Sequence, residues 1–116
     1  MAANLSRGDI RLYQFASPDK ERPVLILTRD SAIRHLATVT VAPITSTIRG
    51  VPSEVILDID DGVKNRCAVN LHNSVTVAQS RLGRRIGSLS AQRMSEVCAA
   101  LGFSLGCTDG LPPASA

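Results

Sequence analysis

Short stretches in which apolar and polar residues alternate are the feature that most restricts the fold of this chain. Alternation with a period of two places successive side chains on opposite faces of a strand, and it occurs at residues 10–15, 38–42 and 54–59. Residues 23–27 are apolar throughout, which is typical of a strand covered on both faces. Residues that favour turns separate these stretches, so we expect an antiparallel sheet and not a parallel βαβ protein.

The second half of the sequence predicts three further strands, at residues 67–72, 74–78 and 84–88. In the first of them, Val69 and Leu71 would lie on one face and His72 on the other. Pro43 is expected to end the strand that begins at residue 38, because proline cannot donate to a sheet ladder.

A helix is predicted at the carboxyl end of the sheet-forming region. Ser90 is a suitable N-cap residue, and one apolar stripe follows at helical spacing: Met94, Val97, Cys98, Leu101 and Leu105. Residues 31–36 are compatible with one helical turn or an irregular loop. The expected fold class is mainly β with some α, a small antiparallel barrel with a C-terminal helix.

The length of 116 residues suits one domain spanning residues 1–116. We expect an ordered core at about residues 6–105 and a flexible tail at 107–116, which is rich in Gly, Pro and Ser. The start of the chain carries no apolar signal segment, and no apolar run is long enough to span a membrane. These features predict a cytoplasmic protein without a membrane partner.

Cysteine and arginine usage restrict the chemistry. The three cysteines form no CxxC pair and are odd in number, which predicts neither a disulfide framework nor a metal site. Of the 13 basic residues 11 are arginine, and the formal net charge is +3. The guanidinium group binds phosphate bidentately, so this enrichment indicates an anionic partner. A GC-rich genome would produce the same bias, and composition alone leaves both explanations open.

Two segments carry candidate chemistry. Arg22 precedes Pro23, which favours an extended backbone and would let a strand direct the arginine side chain; a surface arginine at a sheet edge is the alternative. Thr45, Ser46 and Thr47 with Arg49 could bind a sugar-phosphate backbone. Hydroxyl-rich loops also occur for turn formation alone.

Six ordered stretches match sequence blocks of one known family: SRGDI at 6–10, ERPVLILTRD at 21–30, VAPITSTIRG at 41–50, SEV at 53–55, AVNL at 68–71 and RRIGSL at 84–89. In order and spacing they resemble the MazF/PemK family of endoribonuclease toxins. The resemblance covers about residues 6–105.

The resemblance implies an SH3-like barrel of the CcdB/PemK type that forms a homodimer. It also implies sequence-selective, metal-independent cleavage of single-stranded RNA by the substrate's own 2′-hydroxyl, without a cofactor, and inhibition by an acidic, MazE-like antitoxin. The family's catalytic arginine and Ser/Thr fall on Arg22 and Thr45. The residues expected to bind RNA are Ser46, Thr47, Arg49, His72, Asn73 and Arg84.

Two departures from the family pattern bear on RNA recognition. Many members have an acidic residue where this chain has His72, and a longer loop between the first two strands than residues 17–21 provide. His72 is therefore either a base, a substrate contact or a solvated neutral side chain.

Two non-catalytic alternatives share the expected fold. A CcdB-like gyrase poison would need a C-terminal tryptophan, and the chain has none. An SH3-like binding module would need an aromatic groove, and the aromatic residues are only Tyr13, Phe15 and Phe103.

Overall fold

The computed structural model describes residues 5–16 and 21–107. In these residues seven strands and two α-helices follow the order β1 (Asp9–Gln14), β2 (Glu21–Ile26), α1 (Asp30–Ile33), β3 (Thr38–Thr45), β4 (Glu54–Leu57), β5 (Cys67–Asn70), β6 (Val75–Ala78), β7 (Leu82–Ser88) and α2 (Ala91–Leu105). Single turns of 3₁₀-helix lie at Ile59–Asp61, Leu71–Asn73 and Gln79–Arg81.

All strand pairs are antiparallel, and the sheet has the order β4-β5-β3-β2-β1-β7. β3 is the central element: β2 pairs along one of its edges, while β6 and then β5 share the other. The order has two ends, β4 and β7, so the barrel-like sheet is open. The predicted fold class, a mainly β antiparallel barrel-like sheet with a C-terminal helix, is confirmed.

The hydrophobic core lies on both faces of the sheet. Leu25 belongs to a cluster that packs under α2, while its neighbours Val24 and Ile26 belong to a second cluster on the opposite face. All three side chains are fully buried, as the continuous apolar run predicts. Each such burial stabilises the fold by roughly 1.5–3 kcal/mol.

Pro43 does not end its strand as expected, because β3 continues to Thr45. Pro43 pairs with Val24 of β2 on one side. On the other side it falls between Val41, the last residue paired with β6, and Ile44, the first paired with β5. A missing N–H costs little where the partner strand changes.

Two predicted strands are shorter than expected because local side-chain hydrogen bonds close 3₁₀ turns. β4 ends before Asp58, whose carboxylate accepts the backbone N–H of Asp60. β5 ends at Asn70, and His72 lies in the following turn rather than on a strand face. The Ser74 hydroxyl donates to the Leu71 carbonyl across that turn.

Helix α2 begins where the sequence predicts, since the Ser90 hydroxyl accepts the backbone N–H of Arg93. The buried residues of its apolar face are Met94, Val97 and Ala100. Two predicted members of the stripe are exposed, Cys98 and Leu105. Met94, Val97 and Ala100 follow the spacing i, i+3, i+6, so Cys98 lies at the side of the buried face. Leu105 lies in the last turn of the helix.

Two further expectations concern the ends of the chain and membranes. The predicted flexible tail lies, except for Cys107, outside the described residues. None of the helices in the described part of the chain has the length and apolar character that a membrane span requires.

Candidate active site

A cleft of about 320 Å³ opens on the sheet face that carries Val24 and Val41, beside the ends of β2 and β3. Its lining contains five of the residues predicted from the sequence: Arg22, Thr45, Thr47, Arg49 and Asn73. Phe15, Pro43 and Asn70 complete the lining. We call this surface the first cleft.

Strand register brings Arg22 and Thr45 into the first cleft from two different strands. Val24 of β2 pairs with Pro43 of β3, so Arg22 and Thr45, two residues further on each strand, occupy facing positions. Residues two apart point to the same face, and both side chains therefore share the face of Val24 and Pro43.

The guanidinium of Arg22 is available to a ligand. Arg22 is exposed, and it makes no ion pair or side-chain hydrogen bond with the other residues that the structure describes. Its backbone is held in β2 opposite Tyr13 of β1. A strand thus fixes the origin of the side chain while its five N–H donors stay free.

The hydroxyl of Thr45 is oriented by the loop that follows β3. The backbone N–H of Thr47 donates to Thr45 Oγ1 at 3.1 Å. Because this bond occupies a lone pair, the Thr45 O–H remains free to donate to a ligand oxygen.

Glu54 holds the loop that carries Arg49. Its carboxylate accepts the backbone N–H of Arg49, at 3.1 and 3.2 Å to its two oxygens, and that of Gly50 at 2.9 Å. Gly50 adopts a φ of 75°, a conformation that glycine enters without strain. The loop backbone is thus anchored to β4, while the Arg49 side chain faces the first cleft.

A second cleft of about 620 Å³ adjoins the first. Thr45 lines both clefts, and Ser46 and Arg84 line only the second. Leu12, Pro23, Ile44, Val63 and Ile86 give this second cleft an apolar floor, and the cations Lys64, Arg66 and Arg84 lie along it. The predicted RNA-binding residues are therefore divided between two adjoining surfaces.

His72 lines neither cleft. Its ring is exposed, and its Nδ1 lies 2.6 Å from the Ser53 hydroxyl oxygen. Its neighbour Asn73 does line the first cleft. An RNA contact by His72 stays a prediction.

Sequence reasoning missed two polar residues of the first cleft region, Asn70 and Glu54. Asn70 is only 7% exposed, and its position in an otherwise apolar strand, Cys-Ala-Val-Asn, was the available signal. Glu54 belongs to the matching stretch SEV at 53–55, but its anchoring role was not predicted, because the backbone groups it binds belong to a loop whose path the sequence does not define.

An ion pair between Arg93 and Asp61 ties α2 to the 3₁₀ turn after β4. Arg93 Nε lies 3.0 Å from Asp61 Oδ1, and Arg93 Nη1 lies 2.9 Å from Glu96 Oε1. Burial alone would raise the pKa of Asp61, but hydrogen bonds from Arg93 and the Asp58 backbone, with the charge of Arg93, lower that pKa overall.

Burial raises the pKa of the Cys67 thiol, and the negative charge of Asp61 raises it further. Cys67 therefore stays a neutral thiol in the wall of the second cleft. In residues 5–16 and 21–107 no three His, Cys, Asp or Glu side chains are grouped as a metal site would require.

The first cleft combines free cations with oriented hydroxyl donors. Guanidinium groups and O–H donors aimed at one point can stabilise negative charge that develops on phosphoryl oxygens. The site thus suits binding of a phosphodiester and stabilisation of its charged transition state.

Comparison with known proteins identifies the family of the chain. The family described as "PemK-like, MazF-like toxin of type II toxin-antitoxin system" matches residues 6–105. Endoribonuclease MazF3 of Mycobacterium tuberculosis is 43% identical over 93 residues, which cover 80% of this chain and 90% of that protein.

Solved structures give the same result. The Mycobacterium tuberculosis toxin MazF-mt6 is 41% identical with a TM-score of 0.77, covering 84% of this chain and 96% of its own. An endoribonuclease in complex with its cognate antitoxin from a mycobacterial species is 26% identical with a TM-score of 0.80, covering 90% and 98%. The chain belongs to the PemK/MazF family of toxins of type II toxin-antitoxin systems.

Proposed function

We propose that this chain is a toxin that cuts single-stranded RNA without a metal ion, and that Arg22 and Thr45 of the first cleft perform the reaction. The observation that carries the proposal is that these two side chains, distant in sequence, line one cleft from facing strand positions. The names of similar proteins, which are endoribonucleases, support the same activity.

The proposed reaction is an internal transesterification. The ribose 2′-oxygen forms a bond to phosphorus, the bond from phosphorus to the 5′-oxygen breaks, and the proton lost by the 2′-hydroxyl is balanced by one gained at the leaving oxygen. The products are a 2′,3′-cyclic phosphate and a free 5′-hydroxyl. No external nucleophile enters this step.

Arg22 and Thr45 act on the phosphoryl oxygens in this proposal. Negative charge gathers there in the transition state, where a preorganised guanidinium has its largest effect. The Thr45 hydroxyl, oriented by the Thr47 N–H, donates to one of these oxygens. A threonine hydroxyl is too weak a base to take the 2′-proton, so its role is orientation and charge stabilisation.

Ser46, Thr47, Arg49, Asn73 and Arg84 would hold the flanking backbone. Thr47, Arg49 and Asn73 belong to the first cleft, and Ser46 and Arg84 belong to the second. An RNA strand that follows both clefts would cross the end of β3 at Thr45, with cations on either side. His72, which lines neither cleft, would contact RNA only beyond them.

The proposed partner is a cognate acidic, MazE-like antitoxin, acting on a homodimer in the cytoplasm. One relative was solved in complex with its cognate antitoxin. An acidic segment would bind the cations that we assign to RNA, so antitoxin and RNA should compete. A peptide that binds the toxin without displacing RNA would contradict this overlap.

The test is incubation of the purified protein with a defined single-stranded RNA in EDTA, followed by mapping of both new ends. The proposal predicts cuts at specific sites, with cyclic phosphate and 5′-hydroxyl ends. Intact RNA in EDTA that is cut after addition of Mg²⁺ would contradict the metal-independent step. Intact RNA under both conditions would favour a binding protein such as a gyrase poison.

A further inference from the structure

Asn70 has an unusual position in the first cleft. It is the last residue of β5, pairs with Glu54 of β4, and lines the cleft that contains Arg22 and Thr45. Its Oδ1 is buried and has no hydrogen-bond partner among the residues that the structure describes. We propose that the Asn70 amide binds the edge of a nucleobase in this cleft and thereby helps to select the RNA sequence that is cut.

An unpaired amide at this position calls for a ligand. A buried polar atom without a partner lowers stability, and native structures retain such atoms where function needs them. The neighbouring strand residues Ala68 and Val69 are fully buried and apolar. An apolar residue at position 70 would fit this strand better, so the fold itself does not require asparagine.

The chemistry of the amide excludes the phosphate as a partner for Oδ1. Phosphate oxygens accept hydrogen bonds, as Oδ1 does, so the two cannot bond to each other. A base edge presents N–H donors beside acceptors. Rotation of the amide by 180° exchanges Oδ1 and Nδ2, and a phosphate oxygen could then accept from Nδ2 but would still leave Oδ1 without a donor. A base edge supplies complementary groups for both atoms in either orientation.

Position along the strands separates a base from the attacking ribose hydroxyl. Because Ile44 pairs with Val69, Asn70 lies opposite Pro43. Pro43 is two residues before Thr45, so Asn70 is displaced from Thr45 by about 7 Å along the strand direction. The 2′-oxygen must lie within about 3.5 Å of phosphorus to react. With the phosphate between Arg22 and Thr45, Asn70 is nearer to the base than to the reacting atoms.

This inference rests on the proposed function. Its test measures the ratio of cleavage rates between RNA substrates. Single-turnover cleavage rates are compared for RNAs that differ at one nucleotide beside the cut. We compare the parent protein with the Asn70→Ala and Asn70→Leu variants; leucine has the same branching at Cγ. Gln92→Ala, an exposed position on α2 outside both clefts, is the matched control.

The parent and Gln92→Ala should prefer one base at one position by about tenfold or more, as expected for a two-bond contact. Both Asn70 variants should lose most of that preference, because the less favoured RNAs lack the bond already. The Asn70→Leu protein should melt at or above the parent temperature, because it removes an unpaired buried amide. A uniform loss of rate on every RNA, or an unchanged preference, would overturn the inference.

Binding of the same RNAs with 2′-O-methyl groups, which cannot be cut, separates failure of this inference from failure of the proposed function. If the parent cuts no RNA but binds one base in preference and the Asn70 variants do not, base selection holds and the enzymatic proposal fails. If the parent binds the RNAs without a base preference, or if it has one and the Asn70 variants share it, the proposed role of Asn70 in base selection is wrong. Absence of any RNA binding by the parent overturns both.

Discussion

Arg22 of β2 and Thr45 of β3 lie at facing positions of neighbouring antiparallel strands, two residues beyond the pair formed by Val24 and Pro43. Both backbones belong to strands and not to a loop, since Arg22 pairs with Tyr13 of β1 and Thr45 pairs with Ala68 of β5. A catalytic pair on rigid strands can be preorganised for charge that develops between its members.

Replacement of Thr45 by alanine should slow cleavage by roughly 100-fold, because one oriented donor to the phosphoryl oxygens is lost. Binding of uncleavable RNA should change much less. Thr45→Ser keeps the hydroxyl and is the matched control, which should retain most of the activity. Single-turnover rates beside binding by fluorescence anisotropy measure both effects. Equal activity of the alanine and serine variants would remove the hydroxyl from the mechanism.

The sequence predicts those parts of the fold that depend on local periodicity. Alternation located the strands, and Ser90 located the start of α2. The end points of β4 and β5 were wrong, because they are set by hydrogen bonds of Asp58 and Ser74 within single turns. Pro43 was predicted to end β3 because proline cannot donate a backbone hydrogen bond. That argument takes no account of the change of partner strand that β3 makes at this residue.

Part of the candidate site was predicted from local sequence, which singled out Arg22, Thr45, Thr47 and Arg49 before the family resemblance assigned catalytic roles to Arg22 and Thr45. Arg22, Thr45, Thr47, Arg49 and Asn73 lie in one cleft, as expected of a common site. The sequence did not show that Ser46 and Arg84 line the second cleft and not the first, because this depends on the face of the sheet on which each residue lies. Asn70 was missed since its burial follows from long-range pairing.

Removal of the Glu54 carboxylate should weaken RNA binding although Glu54 is itself negatively charged. It anchors the backbone N–H groups of Arg49 and Gly50, and their release would disorder the loop. We expect KM for RNA to rise about tenfold in Glu54→Ala, equivalent to about 1.4 kcal/mol of lost binding. Asp60→Ala, which removes an exposed carboxylate, is the control. Tighter binding by Glu54→Ala than by the parent would show that repulsion, not anchoring, dominates.

RNA affinity should fall steeply as salt concentration rises, because the cations along the clefts are exposed arginines and Lys64, and only Phe15 supplies an aromatic ring to the first cleft. Arg49→Gln should reduce the slope of log affinity against log salt by about 0.7, the value for one phosphate of a single strand. Arg34→Gln, an exposed arginine outside both clefts, should leave the slope unchanged. A salt-independent affinity would instead indicate binding through bases.

Stability should fall in acid through Asp61. Its folded-state pKa lies below the ordinary value of 3.8, so the unfolded chain takes up the proton first as the pH falls. The contribution is complete above about pH 5 and is lost as the pH falls through the folded-state pKa. Arg93→Gln should lower the free energy of unfolding by about 2 kcal/mol at pH 7. The difference in free energy of unfolding between Arg93→Gln and the parent should narrow as the pH falls below the ordinary carboxyl pKa of 3.8.

Denaturant unfolding at several pH values measures this effect, with Arg34→Gln as a control for loss of one positive charge. The control should show no such convergence at low pH. A constant difference between Arg93→Gln and the parent from pH 7 to pH 2 would mean that packing of the Arg93 stem, and not its pairing with Asp61, stabilises α2.

The most direct test of the central claim is the single-turnover rate of RNA cleavage in EDTA for the parent, Arg22→Ala and Arg22→Lys, with melting temperatures measured in parallel. Because Arg22 is exposed, both variants should fold. The alanine variant should cut at least about 100-fold more slowly, a loss of about 3 kcal/mol of transition-state stabilisation. Lysine should restore little, since a point charge lacks the bidentate fork. A folded Arg22→Ala protein that cuts RNA at the parent rate would contradict the account.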